Sequence, residues 1–300
     1  MYGLIDADIL VFRAAFAAQK NQWFLSVGDA APEMFAYKKE AIKRLDEQLP
    51  GIHSRVEGQD YRLWSERFLE PVENALQNCK SQMKTIMDKL QLNEWDVTCY
   101  LSGGVNYRYA IAKTRPYKGN RDNVDRPAHE EAVRNFIKSK WNTVVTDGIE
   151  ADDALGTEQI SRGRNNSVII SIDKDLDMIP GFHYNLMHDI LYEVTEDDAM
   201  RKFFTQLLTG DPTDNIVGLK GIGGMKAEKI LEGLTLDECR DEVVRQYACN
   251  SGVEDWFAYL NEMAALLWIQ REKNVIYQFS DRDMELGGDG GQEIPDLEMY

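Results

Sequence analysis

The clearest pattern along the chain is a series of short apolar runs that alternate with segments of helical spacing. Continuous apolar runs predict buried strands, whereas apolar residues three or four positions apart predict helices. The apolar runs lie at residues 4–12, 97–101, 143–146 and 167–172. Strand, helix and strand joined by short connections indicate parallel βαβ units, so the pattern predicts an α/β fold with a parallel sheet flanked by helices.

The remaining pattern predicts the elements around this sheet. A hairpin is expected over 182–186 and 190–194, and Thr195, with Asp198 three residues later, is expected to begin a helix that reaches Leu208. Residues 20–70 are mixed and show no recognisable chemistry. Further helices are predicted over 32–49, 71–90, 128–140 and 254–269, and a loop over 51–62.

Acidic residues follow the apolar runs. Asp6 stands where the first strand should end, Glu150, Asp152 and Asp153 follow the third run, and Asp173 follows the fourth. Because the carboxyl ends of parallel strands meet at one sheet edge, these acids are expected to lie side by side. Two interpretations remain open at this point: acids that favour the positive end of a helix dipole, or acids that face a divalent cation.

Two further segments carry candidate chemistry. Residues 107–127 contain six Lys or Arg against two Asp, with Tyr107, Tyr109 and Tyr117 interleaved. Such a segment is either a solvated surface or a contact for phosphates and unpaired bases, and its compactness favours the contact. A Gly-Ile-Gly turn at 221–223 precedes a helix with lysines, an arrangement that suits a phosphate.

Composition and charge indicate the kind of surface and the cellular compartment to expect. The chain has 300 residues and a net charge of −17, which argues against a generally basic surface but not against a local basic track. The four cysteines show no metal-type spacing, which favours a reduced, cytoplasmic protein. No signal peptide is indicated, since Asp6 and Asp8 interrupt the first apolar run, and no apolar stretch approaches the roughly 20 residues of a membrane span.

The order of the motifs resembles a known family. Asp6 is followed by Tyr117-Lys118-Gly119-Asn120-Arg121, Glu150-Ala151-Asp152-Asp153, Asp173-Lys174-Asp175, Gly210-Asp211-Pro212-Thr213-Asp214-Asn215 and Gly221-Ile222-Gly223. Together they resemble the flap endonuclease and 5′–3′ exonuclease family, especially its bacteriophage members and the 5′-nuclease domain of bacterial DNA polymerase I. The resemblance spans roughly residues 1–235 and leaves 20–75 and the end of the chain uncovered.

The resemblance implies a Rossmann-like (PIN-like) parallel sheet flanked by helices, with a C-terminal helix–three-turn–helix DNA-binding module. It implies a nuclease domain over 1–200 and a DNA-binding region over 201–280. The glycine-rich, acidic composition of residues 281–300 separately predicts a disordered tail. Two Mg²⁺ or Mn²⁺ ions would be held by Asp6, Glu150, Asp152, Asp153, Asp173, Asp175, Asp211 and Asp214. Lys118 and Arg121 would act at the scissile phosphate, and a K⁺ ion would sit at the Gly221–Gly223 turn.

The activity implied is 5′–3′ exonuclease or structure-specific flap cleavage near 5′ ends of duplex DNA, and also of RNA primers, by a two-metal mechanism. A monomer is expected. The residues expected to contact DNA are Arg108, Lys113, Arg115, Tyr117, Lys220, Gly221, Gly223 and Lys226. The chain departs from the family pattern near Ser102-Gly103, where an Asp is usual and no carboxylate stands. Either Asp8 or water would fill this gap, or the first metal would bind more weakly.

Two alternatives belong to other classes. One is a structure-specific DNA-binding protein with weakened catalysis, suggested by the missing carboxylate near Ser102. The other is a haloacid-dehalogenase-type phosphatase, because Asp6-Ala7-Asp8 matches its paired-aspartate signature. The phosphatase would need Asp6 as nucleophile and a strand just before Gly210, where the pattern instead predicts a helix.

Overall fold

The structure, a computed structural model, describes residues 1–51, 56–121 and 125–288. The strands are β1 (Tyr2–Asp6), β2 (Gln19–Val27), β3 (Glu33–Phe35), β4 (Tyr61–Leu69), β5 (Val97–Leu101), β6 (Thr143–Val145), β7 (Ser167–Ser171), β8 (Gly181–Asn185) and β9 (Ile190–Val194). The helices are α1 (Ala7–Ala17), α2 (Lys38–Gln48), α3 (Val72–Leu90), α4 (Arg108–Ile111), α5 (Glu130–Lys140), α6 (Ala151–Arg162), α7 (Glu196–Thr209), α8 (Gly224–Leu231), α9 (Leu236–Asn250), α10 (Trp256–Leu267) and α11 (Asp281–Gly288).

The described residues form two compact units. The first comprises residues 1–8, 87–121 and 141–288, and the second comprises 9–51, 56–86 and 125–140. Residues 201–280 therefore fall in the first unit together with the parallel strands. The expected division into 1–200, 201–280 and 281–300 remains a prediction.

The first unit contains a mostly parallel sheet with the strand order β6-β5-β1-β7-β8-β9. β1 lies at its centre and pairs in parallel with β5 and β7, while β9 runs antiparallel to β8. Every residue of β5 and β7 is buried, as expected for continuous apolar runs in a parallel sheet. The predicted α/β fold with a mostly parallel sheet flanked by helices is confirmed.

The third apolar run behaves differently from its prediction. It forms β6, a three-residue strand at the sheet edge, where Val144 is 39% and Val145 is 49% exposed. The expectation of a buried strand is therefore wrong for β6. An edge strand has a neighbour on one side only, so apolar side chains alone cannot guarantee burial.

Helices α6, α7, α9 and α10 build the core of the first unit. Phe203 and Leu207 from α7 are completely buried, as are Val243 and Tyr247 from α9. The hydroxyl of Tyr247 donates to the carbonyl oxygen of Leu207 at 2.6 Å, which joins the two helices. The predicted helix at Thr195 is confirmed with its capping box, whereas α9 was not predicted.

The second unit contains an antiparallel sheet of order β3-β2-β4, which the sequence did not predict. Leu25 of β2 packs with Ala41 and Leu45 of α2 to form its core. The helix expected over 32–49 begins only at Lys38, because residues 33–35 form β3 and pair with β2. The loop expected over 51–62 lies partly outside the described residues, and Tyr61 already begins β4.

The end of the described chain is helical. α11 covers the first part of the expected acidic tail, and its Asp283 is fully buried and paired with Arg240. Residues 289–300, the rest of that predicted tail, lie outside the described residues. In the described part of the chain, no helix combines the length and apolar character that crossing a membrane requires.

Candidate active site

The centre of the candidate site lies where β1 and β7 end. Asp6 is the last residue of β1 and is only 5% exposed. The hydroxyl of Ser171, the last residue of β7, donates to Asp6 Oδ2 at 2.8 Å and accepts from the backbone N–H of Asp173 at 2.9 Å. Parallel pairing of the two strands thus brings Asp6 and Asp173 together through one serine.

The start of α6 adds further acids to this edge. Glu150 precedes the helix as its N-cap residue, and Asp152 lies in the first turn. Burial raises the pKa of the Asp152 carboxyl well above its ordinary value, and the carboxylates of Asp6, Asp173 and Glu150 raise it further. The structure therefore gathers Asp6, Glu150, Asp152 and Asp173 into one electrostatically coupled group, called here the acidic cluster.

Asp153 has a different environment from Asp152. It is completely buried, and both of its carboxylate oxygens accept hydrogen bonds from the guanidinium of Arg108, at 2.7 and 2.8 Å. It also accepts from the backbone N–H groups of Glu150 and Gln270. In this structure the lone pairs of Asp153 are used by donors within the fold, so these contacts do not favour it as a metal ligand, and its expected role stays a prediction.

Arg108 is buried beside Asp153. Its side chain is 3% exposed and donates to the carbonyl oxygens of Leu266 and Trp268 as well as to Asp153. This burial does not favour the expected DNA contact of Arg108, which stays a prediction. A guanidinium held by a bidentate carboxylate and two carbonyls is a structural element that joins α4, α6 and the end of α10.

Two cations, Lys118 and Arg121, pair with the carboxylates of Glu150 and Asp214. Lys118 forms an ion pair with Glu150 and lies 3.6 Å from Asp214, while Arg121 pairs with Asp214. Burial alone would lower the pKa of Lys118, but Glu150 and Asp214 outweigh it and the pKa is raised. Lys118 therefore stays protonated, and its ammonium bridges the acids of α6 and those of the turn after α7.

The side chain of Tyr117 is buried against two carboxylates. Its side chain is 4% exposed, and its hydroxyl lies 2.9 Å from Glu150 Oε2 and 2.6 Å from Asp214 Oδ2. Burial and these two carboxylates raise its pKa far above the ordinary tyrosine value. The expected DNA contact of Tyr117 is not favoured, since its side chain is almost completely buried, and it stays a prediction.

Asp211 and Asp214 are held by a tight turn after α7. Asp211 and Ile216 exchange backbone hydrogen bonds of 2.8 and 2.9 Å, which closes the turn. Gly210 and Gly218 pass each other so closely that a Cβ on Gly218 would lie 2.2 Å from the nitrogen of Gly210. Both glycines have a positive φ, so other residues would be strained as well as crowded.

Asp175 and Asp8 lie beside the cluster with partners of their own. Burial and Asp173 raise the pKa of Asp175, while Lys202 at 3.5 Å and the amide of Gln206 at 3.1 Å act in the opposite direction. Asp8 accepts from the backbone N–H of Ser102 at 2.8 Å. The end of β5, which has no carboxylate of its own, thus has Asp8 beside it.

The other residues expected to contact DNA are on the surface. Lys113 and Arg115 are exposed, and Glu262 accepts from the backbone N–H groups of Lys113 and Thr114, which fixes that loop. Around the Gly221–Gly223 turn, all four residues expected to contact DNA are exposed: Lys220, Gly221, Gly223 and Lys226. Gly223 is the N-cap of α8, so this helix start is open to solvent.

The donor set can be tested against the expected metal ions. No group of three or more His, Cys, Asp or Glu side chains in the described residues is arranged as a ready metal site. Glu150 and Asp214 instead bind Lys118, Arg121 and Tyr117. The chemistry nevertheless fits Mg²⁺ or Mn²⁺, because the donors are carboxylate oxygens, the hard ligands that these ions prefer.

Two polar residues of the site were not found from the sequence. Ser171 connects Asp6 with Asp173, and Asn106, 8% exposed, donates to Glu150 Oε1 at 2.9 Å. Ser171 carried a signal, since it is a polar residue that ends an apolar run just before an acid. Asn106 carried none, because only the fold brings it to Glu150.

The fold and these contacts define an α/β chain whose parallel sheet has a carboxylate cluster at the ends of its central strands. No family model matches the chain. It is 33% identical over 115 residues, 34% of this chain, to a DNA polymerase I of Rhizobium leguminosarum. It is 24% identical over 178 residues, 55% of this chain, to a DNA polymerase I of Borreliella burgdorferi. The matched segments span 11% and 18% of those two relatives.

A solved structure supports the same assignment at the level of the fold. The T5 5′-exonuclease, solved with bound zinc, superposes with a TM-score of 0.50 and 17% identity, over 89% of this chain and 86% of that one. The resemblance to the flap endonuclease and 5′–3′ exonuclease family that the motifs indicated is confirmed.

Proposed function

We propose that this chain is a divalent-metal-dependent 5′ nuclease that hydrolyses phosphodiester bonds at or near 5′ ends of duplex DNA. One observation carries the proposal: Asp6, Glu150, Asp152 and Asp173 form a single acidic cluster beside the cation Lys118. Clustered carboxylates repel one another, and folding alone does not require them to meet. The similarity to DNA polymerase I and to the T5 5′-exonuclease supports the same reaction class.

The residues proposed to hold two Mg²⁺ or Mn²⁺ ions, directly or through water, are Asp6, Glu150, Asp152, Asp173, Asp175, Asp211 and Asp214. Asp153 is left out because Arg108 already neutralises it. Divalent ions bound here would supply an activated water and stabilise the leaving 3′ oxygen. The oxygen-only donor set favours Mg²⁺ or Mn²⁺ over metals that prefer sulfur or imidazole.

Lys118 and Arg121 are proposed to bind the scissile phosphate. Lys118 pairs with Glu150 of the acidic cluster, and both cations contact Asp214. Because their charges are fixed in place before substrate arrives, they can offset the negative charge that grows on the phosphate. Tyr117, which touches Glu150 and Asp214 with one hydroxyl, is proposed to hold these two carboxylates in position.

The duplex is proposed to bind around residues 205–235, at the C-terminal end of α7, the turn that follows it and α8, as a helix–three-turn–helix module. The exposed Gly221–Gly223 turn opens the start of α8, where backbone groups and a K⁺ ion can hold a phosphate. Lys220 and Lys226 add positive charge beside it, and Lys113 and Arg115 extend the contact. RNA primers are proposed as further substrates, as are nicks and flaps.

The proposal is tested with 5′-labelled nicked and flapped duplexes in Mg²⁺. The wild-type chain should release short 5′ products, and Asp173→Asn should reduce the cleavage rate at least about 1,000-fold, equivalent to about 4 kcal/mol. Asp197→Asn is the matched control, since Asp197 is an acid on α7 whose partner is Arg201. Its rate should stay within about twofold of wild type, the range for a surface substitution.

Two results would overturn the proposal. Binding of flaps without cleavage in Mg²⁺ or Mn²⁺ would favour the DNA-binding protein that lacks catalysis. Hydrolysis of small phosphate esters without DNA would favour a phosphatase. The phosphatase is disfavoured by the helix α7, which occupies the place before Gly210 where that enzyme needs a strand.

A further inference from the structure

Two short segments of the first unit lie against each other beside the acidic cluster. Residues 116–121, called here the cation segment, contain Lys118 and Arg121. Residues 211–216, called here the aspartate turn, follow α7. The backbone N–H of Lys118 donates to the carbonyl oxygen of Asp214 at 3.0 Å, so the two main chains are in direct contact.

Two asparagine side chains strengthen this contact from opposite sides. The amide of Asn215, in the aspartate turn, donates to the carbonyl oxygen of Pro116 at 2.9 Å. The amide of Asn120, in the cation segment, donates to the carbonyl oxygen of Pro212 at 2.8 Å. One bond therefore holds the cation segment before Lys118 and the other holds it after Lys118.

The aspartate turn is fixed by contacts that do not involve the cation segment. Asp211 and Ile216 exchange two backbone hydrogen bonds, which close the turn. The residues that follow are held as well, because the hydroxyl of Tyr259 donates to the carbonyl oxygen of Gly218 at 2.6 Å. The aspartate turn can therefore serve as a rigid support for the cation segment.

The cation segment has few contacts of its own. Within it, the backbone N–H of Gly119 donates to Pro116 at 3.1 Å and that of Arg121 donates to Lys118 at 2.9 Å. Lys118 has a φ of +54°, an uncommon conformation for a residue other than glycine, which persists only where neighbouring contacts hold it. The buried ring of Tyr117 fixes one point of the segment, but it does not fix the direction of the side chains beside it.

We propose that Asn120 and Asn215 are positioning residues, which hold the cation segment on the aspartate turn and thereby place Lys118 and Arg121 for the scissile phosphate. The role rests on the proposed function, since both asparagines act through these two cations. An amide suits it, because its N–H donates to a carbonyl oxygen without adding charge. An aspartate could not donate this bond, and a lysine would add a competing cation beside the acidic cluster.

The first measurement is hydrogen exchange of the full chain in EDTA, followed by mass spectrometry, which needs no activity. Asn120→Ala and Asn215→Gly each delete one amide, and glycine is chosen at 215 because Asn215 has a φ of +62°. Peptides that cover the cation segment should exchange at least about threefold faster, as expected when one neutral hydrogen bond no longer opposes local opening. Peptides that cover β7 should not change.

The second measurement is steady-state cleavage of a 5′-labelled flap in Mg²⁺. In Asn120→Ala, kcat should fall about tenfold, because small displacements of catalytic groups are costly. Its KM should stay within about twofold, since the affected contacts act on the transition state. The matched control is Asn250→Ala, which deletes an exposed amide whose partner is Gln246 on the same helix, and both constants should stay within about twofold of wild type.

A role in folding alone would lower the fraction of folded chain, which circular dichroism reports, and would leave kcat per folded molecule unchanged. If Asn215→Gly does not fold, Asn120→Ala decides the outcome, because Asn120 is exposed.

Three results would overturn the proposal. The first is unchanged exchange of the cation segment in Asn120→Ala. The second is an equal increase of exchange throughout the first unit, since the effect would then not be local. The third is faster exchange of the cation segment with unchanged kcat. A wild-type chain that does not cleave would instead overturn the proposed function, and hydrogen exchange would still decide whether the two amides hold the segment.

Discussion

Two adjacent aspartates at the start of α6 lie in opposite electrostatic environments. Asp153 is buried against Arg108, which donates to both of its oxygens. The backbone N–H of Gln270 donates to the same carboxylate. Asp152 faces Asp6, Asp173 and Glu150 instead, and its pKa is raised by burial and by these acids. The comparison shows that a buried acid with an arginine has its counter-charge within the fold, whereas the carboxylates of the acidic cluster repel one another, so we expect added positive charge to stabilise the cluster.

The largest expected effect concerns the completed pair. Asp153→Asn should lower the free energy of unfolding by about 3–5 kcal/mol, because it leaves the buried guanidinium of Arg108 without a counter-charge. Urea unfolding in EDTA measures this value. Asp152→Asn is the matched control, one residue earlier with the same chemistry, and it should cost little or stabilise the chain because it removes repulsion. Equal losses in both variants would show that the two sites do not differ.

The second effect concerns the acidic cluster. Mg²⁺ at 100 times its dissociation constant should raise the free energy of unfolding by about 2.7 kcal/mol, since the ion binds the folded chain. Urea unfolding with Mg²⁺ and with EDTA gives the difference. The gain should disappear in Asp152→Asn, whose cluster has lost a ligand, and remain in Asp197→Asn, which lies on α7. A gain that persists in Asp152→Asn would place the ion elsewhere.

The smallest expected effect concerns Arg108, the partner of Asp153. Arg108→Lys keeps the charge but loses the bidentate contact and the bonds to the carbonyls of Leu266 and Trp268. We expect a loss of about 2 kcal/mol, smaller than in Asp153→Asn because no buried charge is left unpaired. Differential scanning calorimetry in EDTA measures it. A loss larger than that of Asp153→Asn would mean that the carbonyl contacts, rather than the ion pair, hold this region together.

The sequence predicted the parallel sheet well and the antiparallel sheet not at all. β5 and β7 are continuous apolar runs, so their burial could be read directly. β2 and β4 have an apolar face against α2 and an outer face that mixes aromatic and charged side chains. Hydrophobic and polar residues therefore do not alternate clearly along either strand. The prediction also failed at β6, where edge position rather than composition sets exposure.

Some residues of the candidate site could be predicted from the sequence and others could not. Acids that directly follow strands, such as Asp6 and Asp173, could be expected to meet because parallel strands end at one edge. Arg108 and Tyr117 belong to a basic, aromatic segment whose composition suggested DNA contact, yet both are buried. Composition reports which groups are present in a segment, but it does not report which of them face inward.

By itself, the sequence determined the order along the chain of the parallel strands and of the helices between them, because this order depends on local periodicity. It also placed acids directly after the strands. The tertiary structure alone decided which of the two adjacent aspartates is paired with a buried arginine. The partners of Asp153 are Arg108, 45 positions earlier, and the backbone of Gln270, 117 positions later. Contacts over such separations leave no local pattern, so only the packed fold distinguishes Asp152 from Asp153.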